Sequence, residues 1–320
     1  MAKGDINIPP DMHDAITDCK KQCDVHIEKF TSKLDAAPDI VYHYTDNKGL
    51  LGILKSGKIW LTDIFGLNDP SEIRHGVNHA CEILAAEAEH PVAKHFSDLF
   101  DKFNSNKIEE AAHFFVACFS KTHKDLGQWR AYGDNGRGFT IGFDGKLLED
   151  TFVKQGDERI PGNGTFPVTY DDDRLCEILK NIVGEVLPQI EMPTGKELNN
   201  ETINDFLRRL YIHLSTSTIQ AAALFKHEAY VNEEEYRFLQ LRSIDDPIDD
   251  LRYRVRNNSV IRFTDFDWNT KGQDVLREIV IGPAADENSA RLSAKNCLLA
   301  GRFDPDRVKI YKSKIPYRGT

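Results

Sequence analysis

Residues 39–63 read DIVYHYTDNKGLLGILKSGKIWLTD. Asp39–Thr45 is rich in β-branched and aromatic residues and reads as a strand. The apolar spacing changes over Asn47–Ser56 to that of a short helix, and Gly57 supplies the stop, because a helix commonly ends on a glycine with positive φ. Lys58–Asp63 returns to strand texture. The unusual feature is His43, held between Tyr42 and Tyr44. Two readings stand: a half-buried strand whose histidine is satisfied by a neighbour, or a ligand site at a strand end.

Further strands are expected at AAHFFVACFS (111–120), RGFTIGFD (137–144), EEEYRFLQL (233–241), YRVRNNSVIRF (253–263) and LREIVIGP (276–283), with a final strand near the C-terminus. Asp69, Pro70 and Glu72 carry the signature of a helix start. Residues 172–226 show two apolar stripes at helical spacing, separated by a loop at MPTGKELNN, and read as a helical insertion. Upstream, Met12, Ile16, Cys19, Cys23, Ile27, Phe30 and Leu34 form one apolar stripe, so residues 1–38 read as an N-terminal helical extension to a domain spanning 39–320. That stripe docks on the core or, as the alternative, pairs two copies into a homo-oligomer. Helices interrupting the strands irregularly, without βαβ alternation, indicate an α+β fold.

The chain has 320 residues, 40% hydrophobic and 29% charged, which suits a folded protein with a sizeable core. No apolar run reaches the ~20 residues that span a bilayer, so no membrane partner is expected. The first residues show no signal-peptide pattern and the six cysteines show no paired framework. Both point to the cytoplasm. Cys19, Cys23 and His26 share a helical face without a fourth ligand, and no metal site is read there. A net charge of −10 disfavours a broad electrostatic grip on nucleic acid. Arg252, Arg254, Arg256 and Arg262 leave room for a local basic patch, although a charged strand edge is the preferred reading.

Polar and aromatic residues concentrate in three places. Beside YHYT (42–45), the stretch CFSKTHKDLGQWRAYGDNGRG (118–138) places Phe119, Trp129 and Tyr132 near a strand end, with Arg130 among them and three glycines and Arg137 after them. Flat rings there suit a planar ligand or ordinary core packing. The third place is NEEEYRF (232–238). Strand alternation puts Glu233, Glu235 and Arg237 on one face and Glu234, Tyr236 and Phe238 on the other. There is no GxGxxG and no GxxxxGK[ST], which disfavours Rossmann and P-loop nucleotide sites.

The order YHYT…GLLGILKSGKIWLTD…NDPSE…CFS…WRAYGDNGRGFTIGFD…EEEYR…IVIGP resembles an uncharacterised bacterial domain-of-unknown-function family over about residues 40–285. More distantly it is similar to the ADP-ribosyltransferase superfamily. That resemblance implies a split β-sheet core, NAD as co-substrate without a metal, and a macromolecular acceptor, nucleic acid or protein, in a toxin or phage-defence setting. It implies that His43 hydrogen-bonds a ribose hydroxyl, that Thr45 supports the ribose, and that the backbone of Tyr44, which replaces a common glycine, meets the carboxamide. Phe119 and Tyr132 would bracket the nicotinamide, with Trp129 and Arg137 completing the cofactor site. Glu235 would be the catalytic carboxylate and Glu233 would orient the acceptor. An NAD glycohydrolase, an RNA 2′-phosphotransferase and a non-enzymatic ligand-binding module of the same fold are the alternatives.

Overall fold

The computed structural model describes residues 8–67, 71–86, 112–156, 163–191, 199–243, 251–256 and 258–318. Helix α1 (Pro10–Thr31) leads into β1 (Ile40–Thr45), α2 (Asn47–Ser56) and β2 (Lys58–Asp63). The α2 helix starts where Asp46 accepts the Gly49 N–H at 2.7 Å and stops where Gly57 takes φ 69°. Next come α3 (Ser71–Ala86), β3 (Ala112–Ser120), α4 (Leu126–Ala131), β4 (Phe139–Asp144) and α5 (Gly145–Lys154). They are followed by β5 (Asn163–Pro167), α6 (Asp172–Leu179), α7 (Asn200–Ala222), β6 (Glu235–Ser243) and β7 (Arg252–Arg256). The described chain closes with β8 (Ser259–Asp267), β9 (Leu276–Ile281), α8 (Glu287–Ala300) and β10 (Lys309–Lys312). Asp69, Pro70 and most of the expected loop at 192–200 lie outside the described residues. The α+β class expected from the sequence holds. Among the described residues, no helix is long and apolar enough to cross a membrane.

The strands form one ten-stranded sheet in the order β10-β9-β4-β1-β3-β2-β8-β7, with β6 on β3 and β5 on β6. Every pairing is antiparallel except β9 with β10. Strand β3 is the branch point. One of its edges pairs with β6 along its whole length, from Ala112↔Ser243 to Ser120↔Glu235. The other edge is shared, with β2 at Phe115 and Val116 and β1 only at Ser120. The sheet therefore forks between β1 and β2, alongside Ala117–Phe119.

Helices cover both faces. Alternation along β3 and β6 sends Phe114, Val116 and Leu239 into one core and Phe115, Ala117, Phe119 and Phe238 into the other. The first core is closed by α1, α3, α6 and α7, and the second by α2, α5 and α8. The apolar stripe of α1 is consumed within the chain: Met12, Ile16, Cys19, Cys23 and Ile27 are buried and α1 packs on α7. Both stripes of 172–226 enter the same core, Leu175 through Val186 and Phe206 through Leu214. An Ile16→Ala change in that interface removes about 2–5 kcal/mol by the usual cavity cost.

Candidate functional site

His43 sits at the fork. Its Nδ1 lies 3.3 Å from the carbonyl oxygen of Cys118, a group the interrupted β1–β3 ladder leaves without a strand partner. A carbonyl only accepts, so Nδ1 carries the proton and Nε2 of the neutral ring is an acceptor. Burial lowers the His43 pKa, against the opposing pull of the Cys118 carbonyl, and keeps the ring neutral. The two tyrosines beside it face the opposite side of the sheet. Tyr44 donates to the Thr122 carbonyl and meets Trp129 edge-on at 5.1 Å; Tyr42 donates to Glu278.

Behind Cys118 lies a buried ionic cluster. Arg237 Nε donates to Glu235 Oε1 at 2.6 Å, and Arg237 Nη1 donates to the Ala223 carbonyl at the end of α7. Lys226 Nζ reaches Glu235 at 3.1 Å and Glu233 at 2.6 Å, bridging the two carboxylates, and lies over the Tyr230 ring. The Glu235 N–H donates to the Tyr170 hydroxyl, and the Glu235 charge is felt at the Cys118 thiol. Burial by itself would raise the Glu235 pKa, but Arg237 and Lys226 outweigh it and hold the carboxylate down to about 2. Burial and the neighbouring Glu235 charge push the Cys118 thiol well up, so this sulfur stays protonated and is no nucleophile.

The alternation expected for NEEEYRF begins two residues late. Residues Glu228–Glu233 form a 3₁₀ turn, Glu234 takes the left-handed conformation at φ 43°, and the strand starts at Glu235. Glu233 therefore joins Glu235 through Lys226 and not through a shared strand face. Its carbonyl is fixed by Ser120 Oγ and Gln128 Nε2, both at 2.7 Å. Tyr236 and Phe238 occupy the opposite face, buried as expected.

The remaining candidates fall around the C-terminal end of β1. Phe119 is buried, with its ring 5.6 Å from that of His43 and 4.6 Å from that of Phe238. Trp129 is fully buried, and its indole N–H is taken by the His123 carbonyl. Tyr132 caps α4 and is 39% exposed. Arg137 is exposed and paired with Asp134. The glycine-rich turn before β4 is a packed joint: a Cβ on Gly138 would stand 2.3 Å from the Thr45 carbonyl oxygen, and Tyr317 of the C-terminal tail lies on Gly136 and donates to Asn135. The geometry thus joins His43 to Phe119, Tyr44 to Trp129, and Thr45 to the turn that carries Arg137. Strand alternation puts His43 and Phe119 on one sheet face and Glu235 on the other, with β3 between them and its Cys118 carbonyl against His43.

Residues 128–238 match the family model described as Protein of unknown function (DUF2971). The matched segment is about a third of the chain and runs from Gln128, which holds the Glu233 carbonyl, to Phe238 beside Arg237. It encloses the whole ionic cluster except Cys118 and leaves out β1 with His43. No curated protein and no solved structure matches the chain.

Three contributors escaped the sequence reading: Cys118, Tyr170 and Lys226. Lys226 arrives through a parallel bridge between Thr169 and Phe225, in which the Lys226 N–H donates to the Thr169 carbonyl. No local periodicity announces such a bridge. Tyr42, Glu278 and Tyr311 form a second buried cluster, with both phenols donating to Glu278 Oε1 at 3.0 and 2.6 Å. Tyr42 reaches across β4 because Gly142, between the two strands, has no side chain.

Proposed function

We propose that the fork binds NAD and that the chain transfers ADP-ribose from it to a macromolecular acceptor. The observation that carries this reading is the contact of His43 with the Cys118 carbonyl at the fork, on the strand whose Ser120 pairs with Glu235. The two side chains assigned to ribose and to catalysis are thereby set about one strand at the place where the sheet divides. The fork itself supports the split-sheet resemblance.

In this reading His43 Nε2 accepts a ribose hydroxyl, Thr45 supports the sugar, and Tyr44 contributes backbone. Phe119 and Tyr132 flank the nicotinamide, Trp129 packs against Tyr44 and steadies the strand, and Arg137 meets a phosphate. The glycosidic C1′–N bond breaks and nicotinamide leaves with its electron pair. Glu235, fixed as an anion across β3 from His43, stabilises through its field the cationic ribose that develops. The acceptor oxygen or nitrogen bonds to C1′, and its proton goes to Glu233, which is the less buried carboxylate. With water as the acceptor, the same steps give a glycohydrolase.

One observation favours a second reading. Glu235 is neutralised by Arg237 and Lys226, as a structural carboxylate is. In that case the fork binds its ligand without turning it over. Incubating the protein with NAD and measuring free nicotinamide, with mass spectrometry of added nucleic acid and protein for ADP-ribose adducts, separates the two. Release with adducts supports transfer, release alone supports hydrolysis, and saturable binding without release supports the module.

A further inference from the structure

Beyond the fork, the sheet continues into β2, β8 and β7, whose outer face carries Lys58, Trp60, Arg252, Arg254 and Arg256, placed together by the register Trp60↔Asp265 and Arg254↔Ile261. Trp60 is 48% exposed. The Arg254 guanidinium lies 5.0 Å from its ring centroid and 5.9 Å from that of Phe263, and Arg254 Nη2 is anchored to Thr62 Oγ1 at 2.9 Å. Phe263 supports the indole from beneath at 4.6 Å. The ring is therefore held at a defined tilt on a rigid strand, with cations around it. Among the described residues, the carboxylates on this face are Asp265, which binds Lys58 and Arg252 together, and Asp267 opposite Lys58. Among those residues cations outnumber them, in a chain whose net charge is −10.

We propose that this face binds single-stranded nucleic acid, with a base stacked on Trp60 and phosphates on the surrounding Lys58, Arg252 and Arg256. An exposed, pre-oriented aromatic ring among cations is what an unpaired base and its backbone require, because stacking tolerates every base and the phosphates supply the charge. A duplex keeps its bases stacked inside and offers nothing to Trp60. An acidic peptide would satisfy the cations and leave the indole unused. The face also leads to the candidate reaction site. β2 pairs with β3 at Thr62↔Val116, so Trp60 stands at the register of Cys118, where the ladder has opened into the fork. The binding claim stands on this face alone. Its consequence, that the bound strand is the acceptor, rests on the transferase reading above.

The test is fluorescence anisotropy of the full chain with labelled oligonucleotides about 12 nucleotides long, as single-stranded DNA, single-stranded RNA and duplex. No NAD is added, and salt runs from about 50 to about 200 mM. Trp129 and Trp268 are fully buried, so quenching of the exposed indole reports on Trp60 in parallel. Binding of at least one single strand, tighter than duplex, weakened by salt and accompanied by quenching, is expected. Trp60→Ala weakens it about tenfold or more, while Trp60→Phe keeps most of it. Melting curves of both variants match the parent, since half of this side chain is already in water. The proposal is overturned if neither single strand binds at low salt, if duplex binds equally well, if a polyglutamate peptide competes equally well, or if Trp60→Ala binds as the parent does. Nicotinamide release, assayed separately without oligonucleotide, keeps the two claims apart. Binding without release retains this face and removes the transferase reading; release without binding does the reverse.

Discussion

Glu235 and Arg237, two residues apart on the same face of β6, share a 2.6 Å hydrogen bond with both side chains sealed from water. Neither charge tolerates loss of the other, because an unpaired buried ion loses its solvation without compensation. Arg237→Met is expected to cost about 3–5 kcal/mol. The double change Glu235→Leu with Arg237→Met is expected to cost clearly less than the sum of the single changes. Urea unfolding of the four proteins measures this coupling; strict additivity would mean that the pair does not interact.

The same cluster sets an acid limit. Folding lowers the Glu235 pKa from 4.5 to about 2, so the ionised carboxylate contributes its stabilisation in full above pH 4.5 and loses it as the pH falls toward 2. The contribution is on the order of 3 kcal/mol. Glu235→Gln should therefore lose less stability than the parent between pH 7 and pH 3, although it starts lower because Arg237 is left unpaired. Equal slopes for the two proteins would show that Glu235 does not titrate with folding.

Two glycines make opposite predictions. Gly138 lies against the Thr45 backbone, where an added methyl meets a carbonyl oxygen that cannot move without shifting β1, so Gly138→Ala should unfold or strongly destabilise the chain. Gly52 lies inside α2, and a methyl there meets nothing within 4 Å. Gly52→Ala should stabilise by about 0.5–1 kcal/mol. Thermal melts of the two variants give the comparison directly.

Glu278 depends on its two phenols. Burial and the carboxylate raise the pKa of both Tyr42 and Tyr311, so both remain donors at neutral pH. Tyr42→Phe or Tyr311→Phe alone should cost about 1–3 kcal/mol. Together they should cost more than the sum, since Glu278 then keeps Lys309 at 3.6 Å as its remaining described cation. A purely additive double variant would contradict the shared-carboxylate account.

Much of the fold was legible because its signals are local. The β-branched and aromatic texture of β1 and the Gly57 stop act within a few residues, and the stripe of α1 ends in the core as its spacing demands. The fork was not legible, since it depends on which of two strands occupies one edge of β3 at each point. Glu234 broke the reading of β6 because nothing in three consecutive glutamates marks the middle one as left-handed. α5 and β5 were missed for a different reason: Gly145–Lys154 has a buried face of only Leu148, Thr151 and Phe152 beyond its first residue, too little periodicity to stand out. In the candidate site, His43 and Glu235 were singled out from the sequence, but Cys118, whose carbonyl meets His43, and Lys226, which bridges Glu235 to Glu233, come from distant segments.

The central claim is that the fork takes NAD through His43 and uses the Glu235 carboxylate on it. Nicotinamide release by the wild-type chain, His43→Ala, Glu233→Gln and Glu235→Gln, each confirmed as folded by circular dichroism, tests it most directly. The account predicts release by wild type, weakened NAD binding in His43→Ala, and a loss of roughly a hundredfold or more in Glu235→Gln. Glu233→Gln should damage transfer to an acceptor more than hydrolysis. Unchanged release from folded Glu235→Gln, or no release and no saturable NAD binding by the wild-type protein, would contradict it.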